Sequence, residues 1–131
     1  MLLVSICFGT LLVIPALDHR FKNSTMPPWA SVLGDVLVAM GFYFVALVYR
    51  ENTFTSATIE VADNQKVIST GPYAIVRHPM YASGLLSLVG APFALGSWWG
   101  FVPVVVMVPL LIWRLLDEER MLEGSLPGYV E

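Results

Sequence analysis

Charge and cysteine are what this chain has least of. Only 13% of its residues are charged, about half the usual share of a water-soluble domain. Its seven lysines and arginines form no run and the net charge is −3, so the basic stripe that nucleic-acid binding needs is missing. A single cysteine, Cys7, excludes an internal disulfide and any multi-cysteine zinc site. Two histidines with no HExxH or paired-His spacing make a metal an unfavoured expectation.

Apolar residues fill the space that charge leaves. They make up 56% of the 131 residues, and mean hydropathy is +0.71. A chain of this length holds at most one domain, and this one is too apolar for an ordinary soluble fold. Four apolar spans follow, at about 2–17, 29–49, 79–95 and 98–116. Leu2 to Leu17 is short for a bilayer, which takes about 20 residues. It has no basic start, however, and Pro15-Ala16-Leu17-Asp18 is a poor small-residue cleavage site, so a first membrane helix is expected rather than a signal peptide. Pro27-Pro28 opens the second span, where a missing N–H costs little. Tyr81 to Trp113 carries no charge; as one helix it would run roughly 50 Å, against a hydrocarbon core of about 30 Å. It must fold back, and Gly96-Ser97 supplies the turn. Gly96 to Gly100 has the spacing of a helix-packing motif, but that placement makes it part of the turn.

The predicted architecture is all-α: a polytopic transmembrane bundle of about four helices forming a single membrane domain over 1–131. Residues 50–78 form the one long connection. Within it Ser56 to Val61 alternates, turns at Asp63-Asn64-Gln65 and resumes at Lys66, which predicts an extended excursion at the membrane surface. Four spans put both ends, the long loop and the tail 117–131 on one side, with Arg50, Lys66, Arg77, Arg114 and Arg120. Arg20 and Lys22 lie opposite. The positive-inside rule makes the long-loop side cytoplasmic.

The polar residues gather at that side. Gly71-Pro72-Tyr73 precedes Arg77-His78-Pro79-Met80-Tyr81, and Arg114, Asp117, Glu118 and Glu119 follow on the last span. Pro79 starts a helix with His78 at its entrance, and a helix N-terminus favours an anion. Tyr73 and Tyr81 offer aromatic faces suited to a sulfonium or quaternary ammonium ion. Arg114 and Glu118, four apart, share a helical face. A blander account uses the same residues: Arg77 and Arg114 snorkel to the interface, Tyr73, Tyr81 and Trp113 form an aromatic belt, and residues 117–120 are a solvated helix end. His78 taken singly suits a surface histidine. Asp35, a turn or two inside the second span, suits snorkelling or a helix N-terminal role better than catalysis. Residue chemistry alone leaves both accounts open.

The combination of Gly71-Pro-Tyr-Ala-Ile-Val-Arg-His-Pro-Met-Tyr81, Gly84, Gly90, Gly96-Ser97, Arg114, Glu118-Glu119-x-x-Leu122 and Pro127-Gly128-Tyr129 resembles the isoprenylcysteine carboxyl methyltransferase family. Related phospholipid methyltransferases share the Arg-His-Pro-x-Tyr block followed by a Glu-Glu pair. The resemblance runs from about Arg50 to the end. It implies an integral membrane methyltransferase that uses S-adenosylmethionine without a Rossmann domain, in keeping with the lack of a GxGxxG motif after a strand. It implies that Tyr73, His78, Pro79, Met80, Tyr81 and Glu118 surround that cofactor, with Gln65, Lys66, Val67 and Ile68 joining by position only. Arg114 would face the substrate and act in catalysis.

The resemblance also implies an acceptor, a lipidated or apolar carboxylate reached from the surrounding membrane lipids. Such an acceptor needs no strong base. A phospholipid or other small-lipid amine is the alternative, and there Glu119 or His78 would be the base. Members of the family usually continue past the point where this chain stops, at Glu131, with a tyrosine and a basic segment, and the amino end here is short. A non-catalytic membrane protein that keeps a cofactor-like site is thus a further alternative, and a purely structural bundle another.

Overall fold

The computed structural model describes residues 2–52 and 69–125. The expected extended excursion, with Gln65, Lys66, Val67 and Ile68, lies outside the described residues, as does Pro127-Gly128-Tyr129. Among the described residues the fold is all-α, with no strand. Its four helices are α1 (Leu2–Phe21), α2 (Pro28–Glu51), α3 (Pro79–Ala94) and α4 (Phe101–Ser125). Three apolar stretches are long enough to cross a membrane, those of α1, α2 and the run Trp98–Ser125. The sixteen residues of α3 span about 24 Å.

Local chemistry sets the helix ends. Pro28 and Pro79 stand in the first turns of α2 and α3, where fixed φ is already helical. At the end of α3, Gly96 takes φ +66°, Ser97 N–H bonds Pro92 O at 3.0 Å and Gly96 N–H bonds Phe93 O at 3.0 Å. That paired arrangement closes a helix with a left-handed residue just past its last turn. The end of α1 repeats it with a lysine: Lys22 takes φ 52°, and Asn23 N–H bonds Asp18 O at 3.2 Å.

Most large apolar side chains point outward, among them Leu3, Phe8, Val32, Phe42, Val105 and Trp113. Water would penalise such a surface heavily; lipid tails do not. The chain is therefore an integral membrane protein. The small buried core joins Leu11 on α1, Leu88 on α3, and Val104 and Met107 on α4, and α3 is the central helix because it packs against α1, α2 and α4. Cys7 packs against that core as a free thiol. Asp35 is exposed on α2.

The closest approach is between α2 and α3. A Cβ on Gly34 would sit 2.1 Å from Ala94 N, one on Gly41 would sit 1.9 Å from Ser87 Oγ, and one on Gly90 would sit 2.8 Å from Leu37 Cβ. Helices in lipid gain little from hydrophobicity, so backbone contact through small residues supplies the association. Ala30, Gly34, Gly41 and Val48 are the buried stripe of α2. On the facing side, Ser83 and Ser87 return their hydroxyls to Pro79 O and Ser83 O, at 2.6 and 3.2 Å, so neither hydroxyl enters the seam unsatisfied.

Polar contacts tie the two turns at one end of the bundle. Buried Asp18 accepts hydrogen bonds from Ser24 and, at 2.5 Å, from Ser97. His19 Nε2 meets Leu95 O at 2.6 Å, and Trp98 Nε1 donates to Thr25 O at 3.1 Å. The α1–α2 loop is thereby fastened to the α3–α4 turn. The polar block of the sequence occupies the other end.

Candidate active site

At that end, Gly71–Ala74 forms a single 3₁₀ turn, with Gly71 at φ +58°. The chain then runs through Ile75 to His78, the entry residue of α3. His78 has an open backbone and makes no side-chain cap. The first-turn N–H groups of a helix have no partner within it, so the mouth of α3 keeps its preference for an anion.

Two side chains of α3 meet two of α4. His78 Nε2 lies 2.8 Å from Glu119 Oε1. Tyr81 Oη donates to Glu118 Oε2 at 2.7 Å, and Arg114 bonds the same phenol. The His78 and Tyr81 rings pack edge to face, with centroids 6.1 Å apart. Arg77, mostly exposed, stands 3.8 Å from Glu119 Oε1. A carboxylate only accepts, so the ring nitrogen facing Glu119 carries the hydrogen, and in the neutral imidazole the lone pair then lies on Nδ1. The cluster is half-buried rather than sealed, with the His78 side chain 15% exposed and that of Glu119 25%.

The residues singled out from the sequence thus fall into two groups. His78, Tyr81, Arg114 and Glu118 come together, and Pro79 is buried beneath them. Met80 is partly buried in the first turn of α3. Tyr73, five residues before His78, is held from a different helix: its hydroxyl accepts from Asn52 Nδ2 at 2.8 Å, at the end of α2. Beside it Thr70 donates to Glu51. Sequence reading missed Glu51 and Asn52, because no periodicity links the end of one span to a turn about twenty residues later. Glu119, named there as part of the Glu-Glu motif, as part of a solvated helix end and as a base for an amine acceptor, gains His78 as a partner in the structure.

The donor set fits the amino-acid end of a sulfonium cofactor. Glu118 presents a carboxylate, the uncapped mouth of α3 presents N–H groups, and Tyr81 presents an aromatic face. Among the described residues no group of three or more His, Cys, Asp or Glu side chains stands ready for a metal ion.

The chain is similar to the cobalt-zinc-cadmium resistance protein CzcN of Cupriavidus metallidurans, at 26% identity over 108 residues, 79% of this chain and 47% of that protein. It therefore spans about half the length of that relative. No solved structure matches the chain. Residues 29–126 match the phospholipid methyltransferase family, a stretch that contains both the Arg-His-Pro-Met-Tyr and Glu-Glu blocks and most of the helical bundle. On that match, which takes in about three quarters of the sequence, the chain belongs to the phospholipid methyltransferase family.

Proposed function

We propose that this protein transfers a methyl group from S-adenosylmethionine to a lipidic acceptor at the cytoplasmic surface of the membrane. The observation that carries the reading is the docking of His78 and Tyr81 on Glu119 and Glu118. It unites the two halves of the family pattern, 37 and 41 residues apart, on one polar ledge. When bound, the cofactor supplies a methyl group already activated on sulfur. Holding donor and acceptor in line, away from water, is the protein's main task and lowers the barrier by several kcal/mol.

The chain's own residues divide the remaining work. Glu118, braced by Tyr81, binds the cationic amino-acid end, while the mouth of α3 takes its carboxylate. An amine acceptor must lose a proton before its nitrogen attacks. His78 Nδ1 is the atom to receive it, and Glu119, bonded at Nε2, stabilises the imidazolium that results. This pairing favours a lipid amine over the carboxylate that the sequence suggested. The carboxylate remains the second reading: Arg114 would orient it, and no base would be needed. The relative's name mentions metal resistance, which is said of that protein alone.

The test is a titration of folded protein in detergent with S-adenosylhomocysteine, followed by transfer of a labelled methyl group to lipid extracts and prenylcysteine analogues. Saturable binding and labelled lipid are expected. An N-methyl product survives alkali, whereas a methyl ester releases its label as volatile methanol. Folded protein that binds nothing at millimolar ligand overturns the methyltransferase reading.

A further inference from the structure

The final residues of α2 form a polar cluster that the chemistry above leaves without a role. Val48 is fully buried, and Asn52 closes the helix with its N–H on Val48 O at 2.8 Å. Residues 51 and 52 are therefore anchored to the best-packed helix pair of the bundle. From this anchor two side chains reach the Gly-Pro-Tyr turn. Glu51 accepts the Thr70 hydroxyl, and Asn52 Nδ2 donates to Tyr73 Oη at 2.8 Å.

Gly71 lies between these two bonds. A Cβ there would come within 3.0 to 3.2 Å of Glu51 Cδ, Cγ and Oε2, so the turn rests directly on the Glu51 side chain. Inside the turn, Tyr73 N–H bonds Thr70 O at 3.2 Å. The orientation of the Tyr73 ring is thus set from α2, independently of the His78–Glu119 and Tyr81–Glu118 contacts on α4.

The direction of the Asn52 bond has a chemical consequence. A carboxamide nitrogen only donates, so it occupies a lone pair of the phenol oxygen and leaves the phenol proton to go elsewhere. Tyr73 is held as a donor. We propose that Glu51 and Asn52 are positioning residues of the cofactor site: Glu51 seats the turn, and Asn52 orients the Tyr73 hydroxyl to donate to an oxygen of the bound cofactor. The inference rests on the reading that Tyr73 lines that site. It goes beyond it by giving the hydroxyl a polarity and naming the residue that sets it.

Asn52→Asp tests this with little change of shape. A carboxylate only accepts, so Tyr73 would turn its proton towards residue 52 and away from the ligand. Binding of S-adenosylhomocysteine to the full chain in detergent is measured by calorimetry for wild type, Asn52→Asp, Tyr73→Phe and the double variant, with unfolding midpoints alongside. Each single variant is expected to lose about tenfold in affinity, the worth of one hydrogen bond to a ligand. The double variant is expected to lose no more than either, since both remove the same bond. Wild-type affinity in Asn52→Asp, or multiplied losses in the double variant, overturns the inference while leaving the methyltransferase reading intact. If Asn52→Asp does not fold, Asn52→Ala takes its place in the cycle: a loss of affinity that disappears in the Tyr73→Phe background supports the inference, and no loss, or one that persists there, overturns it. Absence of binding in folded wild type brings down both.

Discussion

Gly34→Ala tests the seam on which both polar clusters stand. The added Cβ would lie 2.1 Å from Ala94 N, 2.5 Å from Phe93 C and 2.6 Å from Phe93 Cβ. The two nearest are main-chain atoms, so no rotamer change relieves them. Ordinary contact begins at 3.4 Å, and α2 must retreat by roughly 1.3 Å, the difference between 3.4 and 2.1 Å. A gap of about 0.5–1 Å already forfeits a quarter to a half of the dispersion attraction between facing atoms. Overpacking of this kind costs about 1–3 kcal/mol, and with main chain on the far side we place Gly34→Ala near the top of that range.

Two further glycines calibrate the argument. At Gly41 the nearest atom, Ser87 Oγ at 1.9 Å, can rotate away, leaving Ser83 O at 2.9 Å, so Gly41→Ala belongs near the bottom of the same range. Gly84→Ala meets nothing within 4 Å and gains helix propensity of up to about 1 kcal/mol. Thermal unfolding of the purified variants in detergent, followed by helical circular dichroism, should order them Gly84→Ala, Gly41→Ala, Gly34→Ala from most to least stable, with wild type above Gly34→Ala and below Gly84→Ala. All three glycines lie inside helices and gain the same propensity, so the extremes should differ by the overpacking cost, up to about 3 kcal/mol. A Gly34→Ala protein that melts at or above wild type would refute the close approach of α2 and α3.

Three other outcomes follow from named contacts. Lys22→Gly should raise stability by about 1 kcal/mol, because a left-handed φ strains an L-residue and not glycine; a lower midpoint in the same melt contradicts that helix ending. Glu118→Gln should weaken S-adenosylhomocysteine binding about tenfold, since charge-assisted hydrogen bonds exceed neutral ones, while Arg114→Ala should mainly lower turnover. Equal binding losses in calorimetry would refute that division. Glu119→Gln should slow methylation of an amine acceptor at saturating cofactor by at least about tenfold, the imidazolium having lost its counter-charge, with cofactor binding unchanged. An unaltered rate would transfer the case to a carboxylate acceptor.

Much of this protein is legible along the chain because the rules involved are short-range. Uninterrupted apolar runs specify helices that lipid will accept. Pro28 and Pro79 mark helix starts through their fixed φ, and Gly96 marks a turn because it alone meets the left-handed geometry without strain. The four-residue spacing of Arg114 and Glu118 places them on one face, and the Arg-His-Pro-Met-Tyr and Glu-Glu blocks announce that two distant stretches belong together. Asp18 carried no such signal. It reads as the polar end of a span, yet it is the buried acceptor that joins the two turns.

Other features were decided only by three-dimensional packing. Lipid tails resemble leucine, so hydropathy places helices in the membrane without saying which pairs touch. That choice fell to Gly34, Gly41 and Gly90, whose missing side chains let α2 and α3 approach to backbone contact. The seven-residue spacing of Gly34 and Gly41 was visible, but it acquires meaning only with a partner helix opposite. The same pairing brought Glu51 and Asn52 beneath Tyr73, a contact between residues 21 apart that no local periodicity encodes. The sequence by itself determined the solvent, the helices and the reactive residue types. Tertiary structure decided which carboxylate each of His78 and Tyr81 received, and from which helix Tyr73 is held, because those outcomes depend on close approach between whole helices.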